Sequence, residues 1–402
     1  MAKAGNLPRC FSFEALQKTW RESRDSNPST SGAAGIDRIS AEHFASNLNL
    51  NLKEVQIELR EGRFAFRQLR VAPVPKPSGG DRIIAIPTVR DRLVQRCLLR
   101  HLENVPGSRF RSEISYGFSK GRNLQDAQAR ALQLRERYPW VLQADIVKFF
   151  DNVDRAQVSQ VVVRRVRSTR VRDLLLSAIK LELDESNLKG MLIARENGIR
   201  RGVGLRQGMP VSPMLSNMLL RDFDNEIVRR GIQAIRYADD IALFASSRKE
   251  CEAHLILLSG ALAKLKLSIP ELAEGGKTKL ADPQAPIEFL GVEIKRHGEG
   301  YRLFAPSKKL EKVERRLAEI CTVEYCVENT QTLARVLRSI ESILVGYRHA
   351  LANVSDRDQF EARLRAIAER QIEALLISIF GRNILRQLTA EKRAILGIGV
   401  FP

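Results

Sequence analysis

No run of apolar residues in this chain approaches the roughly 18 that a membrane-crossing helix needs, and the opening stretch from Met1 to Asn6 lacks the apolar core of a secretory leader. Membrane spanning and secretion are therefore not expected, and a cytoplasmic setting is. Cysteine is also sparse. Cys10, Cys97, Cys251, Cys321 and Cys326 are odd in number, scattered and without paired metal-ligand spacing, which argues against a disulfide framework or a zinc module. Internal repeats and low-complexity tracts are missing. Acidic residues fall short as well: 47 Asp and Glu face 66 Lys and Arg, a formal charge of +19. That surplus favours an anionic partner, nucleic acid first among them, though basic charge alone also fits other binders.

What is present is the patterning of a globular chain. With 402 residues and 44% hydrophobic content, two or three packed subdomains are expected. Turn-rich segments at Asn27 to Gly35 and Pro73 to Gly80 read as loops. Leu93, Val94, Cys97, Leu98 and Leu99 predict a helix over Asp91 to Leu102, and Val141, Leu142, Ala144 and Ile146 a short buried strand carrying Asp145. Ser212 before Pro213 reads as a helix start with a hydroxyl cap, continued by Leu215, Met218, Leu219, Phe223 and Ile227. Ile235 and Tyr237 precede Asp239 and Asp240, and Ile241, Leu243 and Phe244 follow, which predicts a hairpin with the acids at its turn. A helix from Cys251 to Leu265 and a strand pair from Ile287 to Ile294 come next. After Pro306 the pattern is almost wholly helical.

Strands, helix, hairpin and helix in that order suit a split βαβ palm, and the order gathers Asp145, Asp239 and Asp240 although they lie far apart in the chain. Three carboxylates suit a two-metal phosphoryl transfer, because Mg²⁺ takes oxygen ligands and keeps several waters. Asp145 and Asp239 are the expected bridging ligands and Asp240 the supporting one. An Asp pair alone at a turn is more often a solvated hairpin tip.

The surrounding residues decide otherwise. Tyr237-Ala238-Asp239-Asp240 resembles the Tyr-x-Asp-Asp signature of reverse transcriptases, and Ala144 to Asp154 resembles their first palm motif. Gly204 to Pro213 resembles the Gln-Gly motif that opens the palm helix. Ile86 to Arg92 and Ser115 to Arg122 are similar to finger blocks of bacterial group II intron and retron-like enzymes, while Lys277 to Lys279 and Phe289 to Gly291 look like the last two palm motifs. The resemblance covers roughly residues 30 to 295. It implies an α+β right-hand polymerase with fingers over 1–140, a palm over 141–304 and a helical thumb over 305–402.

It also implies roles. Asp145, Ile146, Asp239 and Asp240 would form the metal site, for two Mg²⁺ ions or Mn²⁺ in their place. Phe150 would be the steric gate that excludes a ribose 2′-OH, with a core Phe as the plainer alternative. Lys76 and Arg82 would clamp the incoming triphosphate. Gln207 and Gly208 would contact nucleotide and template, and Lys277, with Lys279 as rival, would give a proton to the leaving pyrophosphate. Phe289, Leu290 and Gly291 would support the primer end. Asp151 and Asp154 are read as local structure only.

The implied reaction is RNA-directed DNA synthesis from dNTPs on an RNA template, with cDNA as product. Neither the retron-type Val-Thr-Gly and Asn-Ala-x-x-His blocks nor a ribonuclease H pattern is found, and no room is seen for intron-mobility regions before Pro402. The resemblance then narrows to stand-alone antiphage reverse transcriptases that work with a structured non-coding RNA as template and scaffold. Solitary intron-derived, CRISPR-associated and retron-type enzymes stay as alternatives, followed by an RNA-copying RNA polymerase and a non-catalytic RNA-binding scaffold. Oligomeric state and priming mode have no marker in the sequence.

Overall fold

The structure, a computed structural model, describes residues 8–26, 33–76, 79–105, 110, 112–383 and 389. Residues 27–32 of the first expected loop, 77 and 78 of the second, and most of 384–402 at the end of the expected thumb lie outside them. Helices and antiparallel hairpins alternate along the chain, the α+β class that was expected. The chain divides into two compact units, one of residues 1–122, 142–245 and 249–280, the other of 123–141, 246–248 and 281–402.

In the first unit, the helix Val89–Glu103 starts where the Thr88 hydroxyl accepts the Asp91 N–H at 3.2 Å, and it buries Leu93, Val94, Cys97 and Leu98 as its spacing predicts, with Leu102 buried as well and Leu99 half-buried. The segment from Pro73 departs from expectation. Pro73, Val74 and Pro75 complete strand β1 (Arg70–Pro75), paired antiparallel with β2 (Asp81–Ile86) in the register Pro73 to Ile83 and Pro75 to Asp81. Prolines two apart share one backbone edge, and a two-stranded sheet leaves one edge of each strand outside the ladder, so their missing N–H groups cost no pairing. At the end of this pairing the Lys76 N–H donates to the Gly80 carbonyl at 2.9 Å.

β3 (Trp140–Asp145), β4 (Gln233–Tyr237), β5 (Asp240–Ala245) and β6 (Lys279–Ala281) form a sheet in the order β4-β5-β3-β6. β5 is buried throughout after Asp240, so both of its faces are covered and its only polar end is the catalytic-looking one. The helix Ser212–Arg229 packs on this unit through Met214, Leu215, Met218, Leu219, Phe223 and Ile227, each burial contributing about 2 kcal/mol. Its start corrects a second expectation. Ser212 is itself the first helical residue and makes no cap bond; its hydroxyl donates instead to the Arg206 carbonyl at 2.8 Å, and Pro213 takes the second helical place rather than the first.

The second unit opens with the helix Leu124–Arg137, fixed by a capping box between Asn123 and Asp126. β7 (Ile287–Phe289), β8 (Val292–His297) and β9 (Gly300–Phe304) form its antiparallel sheet. Fully buried Arg135 fastens the approach to β7 by donating to the carbonyls of Asp282 (2.7 Å) and Ala285 (2.8 Å). The helices Ser307–Ile320, Val323–Glu328, Leu333–Ala350 and Arg357–Phe380 follow, as the helical pattern after Pro306 predicts, and Val313, Leu317, Ile340, Leu344, Phe360 and Leu364 are buried along them.

Candidate active site

β3 delivers Asp145 at its last residue. The next N–H, that of buried Ile146, donates to the Asp239 carbonyl at 3.2 Å and ties this strand end to the neighbouring hairpin. In that hairpin Tyr237 pairs with Asp240, which leaves Ala238 and Asp239 as a two-residue turn. Turns this tight call for positive φ, and Ala238 adopts 59°. Topology and turn geometry thus bring Asp145, Asp239 and Asp240 together, as the motif order implied.

Their electrostatics follow from the crowding. Burial and then the charge of Asp145 raise the pKa of Asp239 above the usual carboxylate range. Asp240 opens to solvent at the start of β5, yet the protein around it still disfavours its charge most, and Asp145 and then Asp239 add to this, so its pKa is pushed up to about 6. Lys277 answers part of this charge: its ammonium donates to Asp145 Oδ2, and that bond raises the lysine's pKa. Its rival Lys279 lies within β6.

Asp145, Ile146, Asp239 and Lys277 line a cleft of about 590 Å³, and Lys76, Arg82, Phe150, Gln207 and Gly208 line the same cleft. Phe150 stands in the short helix Phe149–Asn152, entered through Lys148 at φ 42°. Phe149 is buried, and the two rings meet at 5.4 Å, so an anchored neighbour holds the half-buried Phe150 ring at the cleft. Gly208, at φ 105°, makes its close approach to the protein's own backbone: a Cβ there would come within 2.5 Å of the Ala85 carbonyl oxygen. The Ala85 N–H donates to the Gln207 carbonyl at 2.7 Å, which fastens β2 to the Gln-Gly loop. Phe289, Leu290 and Gly291 belong to the second unit. There Phe289 ends β7, and Leu290 and Gly291 form the β7–β8 turn, with Leu290 at φ 49° and its carbonyl accepting from the Gln128 side chain at 3.0 Å.

Two acids take places that the sequence reading did not give them: Asp151, read there as local structure only, and Glu182. Asp151 lines the cleft beside Phe150, and its pKa is raised by burial against the opposing pull of Arg206, Lys148, Lys76 and a hydrogen bond from Gln207. Its place directly after the aromatic was the available signal. Asp154, by contrast, caps the helix Arg155–Arg165 through the Ala156 N–H at 2.8 Å. Glu182 is clasped by Arg155 (2.7 Å) and Arg206 (2.6 Å) and accepts the Gly202 N–H at 2.8 Å, which braces the loop leading into Gln207. Burial alone would raise its pKa, but Arg206, Gly202 and Arg155 together hold it below the usual range. No local motif marks it.

Residues 74–294, more than half of the chain, match the family described as reverse transcriptase (RNA-dependent DNA polymerase). The chain belongs to this family. It is 28% identical over 314 residues to the protein YkfC of Escherichia coli K12, covering 66% of this chain and 77% of that one. The retron Ec83 reverse transcriptase of Escherichia coli is 25% identical, with 44% of this chain and 53% of that protein covered. For the group II intron-encoded protein LtrA of Lactococcus lactis the values are 22%, 48% and 31%. The chain therefore spans most of YkfC but about half or less of the other two. Among solved structures, the apo telomerase of Candida tropicalis is similar at a TM-score of 0.44 and 12% identity, over 83% of this chain and 67% of that one.

Divalent metal ions are general in the family, and the donor set suits them. Among the described residues no three His, Cys, Asp or Glu side chains are gathered closely enough to hold an ion unaided. Carboxylates of raised pKa, crowded by like charge, are nevertheless the hard oxygen donors that Mg²⁺ prefers, and Mg²⁺ completes its shell with water and substrate oxygens.

Proposed function

We propose that this chain copies RNA into DNA by two-metal nucleotidyl transfer in the Asp145–Asp239 cleft. The observation that carries the reading is the meeting of those carboxylates with Lys277 in one cleft that Lys76, Arg82, Phe150 and Gln207 also line. When bound, two Mg²⁺ ions, or Mn²⁺ in their place, would supply Lewis-acid stabilisation of the attacking and leaving oxygens. Asp145, Asp239, Asp240 and Ile146 are the residues that would hold them.

The remaining work falls to the chain itself. Lys76 and Arg82 neutralise and orient the triphosphate of the incoming dNTP. Phe150 closes the space a ribose 2′-OH would need. Gln207 and Gly208 form the wall against nucleotide and template, and Lys277, whose ammonium form the contact with Asp145 favours, gives its proton to the leaving pyrophosphate. Phe289, Leu290 and Gly291 support the primer end. Residues 1–140 act as fingers, 141–304 as palm and 305–402 as thumb.

The charge of +19 supports an RNA partner. In the setting we propose, that partner is a structured non-coding RNA, encoded nearby and serving as template and scaffold, and the cDNA acts in antiphage defence in the cytoplasm. No helix among the described residues is long and apolar enough to cross a membrane. Primer extension on RNA templates with dNTPs and Mg²⁺ or Mn²⁺ tests the activity: metal-dependent DNA product is expected, and no product under any of these conditions overturns it. Sequencing RNA and DNA that co-purify with the protein, with and without phage infection, tests the setting.

A further inference from the structure

Directly behind the acidic turn lies a charged pair that the reaction does not use. Arg236 and Asp224 are both 0% exposed, and they pair through two parallel bonds, Nε to Oδ1 at 2.8 Å and Nη2 to Oδ2 at 2.7 Å. The remaining nitrogen, Nη1, donates to Asn217 Oδ1 at 2.9 Å and to the carbonyl of Ala238 at 3.0 Å. Ala238 is the residue at φ 59° that immediately precedes Asp239.

The same network reaches a second backbone segment. Asn217 donates from Nδ2 to the Gly117 carbonyl at 2.9 Å. The Arg236 N–H donates to the Ile114 carbonyl at 2.7 Å, and the Arg236 carbonyl accepts from Tyr116 at 2.8 Å. Gly117 then presses against the turn so closely that a Cβ would stand 2.5 Å from the Ala238 nitrogen.

A buried ion pair is weak support for stability, because the desolvation of both charges offsets most of their attraction. Its geometry here serves another end. A non-glycine residue at positive φ is strained, and it persists only where its surroundings over-determine it. The guanidinium fork is planar and rigid, so with two nitrogens fixed on Asp224 the direction of the third is set. Its N–H groups meet Asn217 Oδ1 and the Ala238 carbonyl.

We propose that Arg236, oriented by Asp224 and Asn217, is a positioning residue that holds the Ala238–Asp239 turn in the conformation that presents Asp239 and Asp240 to metal. The proposal rests on the metal-binding reading above. Partners that orient ligating groups in this way are typically worth about 10- to 100-fold in metal affinity.

The test is Mn²⁺ binding to the full chain without nucleic acid or nucleotide, followed by the electron paramagnetic resonance of free Mn²⁺. Beside it, the Mg²⁺ concentration for half-maximal primer extension is measured. Three variants are compared with the unaltered chain. Arg236→Met with Asp224→Leu removes the pair without stranding a buried charge, Arg236→Lys keeps the charge but loses the fork, and Leu59→Ala, a core truncation in the helix Leu48–Glu61, lowers stability alone.

Mn²⁺ affinity is expected to fall by about tenfold or more in the double variant and by less in Arg236→Lys, with the Mg²⁺ requirement rising in step. Leu59→Ala should leave both unchanged. Undiminished Mn²⁺ affinity in Arg236→Lys, which needs only one altered side chain to fold, overturns the proposal even if the double variant does not fold, as does an equal loss in Leu59→Ala. No Mn²⁺ binding by the unaltered chain would instead overturn the metal-binding reading itself.

Discussion

In front of the Ala238–Asp239 turn, three carboxylates crowd together and the cation that contacts them, Lys277, is 73% exposed. Behind the same turn, Arg236 and Asp224 are wholly enclosed and matched one to one. The front keeps its charge excess: burial first, and then the neighbouring carboxylates, raise the pKa of Asp239 and Asp240. The rear is electrostatically complete, and what it spends its bonds on is geometry. A turn that must display two like charges in a strained backbone needs a partner that is neither strained nor short of bonds, and the two sides divide those duties.

The comparison can be broken at the front first. Phe150→Ala should open the sugar site and lower discrimination against ribonucleotides by roughly 10- to 100-fold. Single-nucleotide incorporation with paired dNTP and rNTP substrates measures it, and unchanged selectivity would make Phe150 a packing residue. At the joint between the two sides, Gly117→Ala forces a Cβ against the backbone nitrogen of Ala238, which cannot yield as a flexible side chain would. A stability loss of about 1 to 3 kcal/mol is expected in urea titration, together with slower extension.

The smallest effect is a pH slope. Asp240 has a pKa of about 6 in the folded chain against an ordinary 3.8, so protonation favours the folded state. In chelator this contribution is fully present below about 3.8 and is lost as pH rises through about 6. Asp240→Asn should remove that part of the slope. Asp91, buried and also raised to about 6, has the same sign and stays in both chains, so its part cancels in the difference between variant and unaltered chain.

Much of the front was legible in the sequence because its pieces are local. Asp239 and Asp240 sit between two short apolar runs that can only pair as a hairpin, and Asp145 ends a buried strand. The β1–β2 hairpin was not legible, because Pro73 and Pro75 read as loop residues unless the sheet is known to be two-stranded. Ser212 looked like a cap because sequence does not say which residue first takes helical dihedrals. The rear was invisible for a different reason. Arg236 and Asp224 lie on different elements and only their burial makes them a pair, just as Glu182 gains meaning only from Arg155 and Arg206. Charged residues in a basic chain look solvated until the fold encloses them.

The most direct test of the central claim is RNA-templated DNA synthesis by Asp239→Asn with Asp240→Asn. Synthesis should fall by about 10³-fold or more, while the unfolding midpoint in chelator holds or rises, since like charges have been removed. Synthesis at the unaltered rate by a folded double variant would contradict the account.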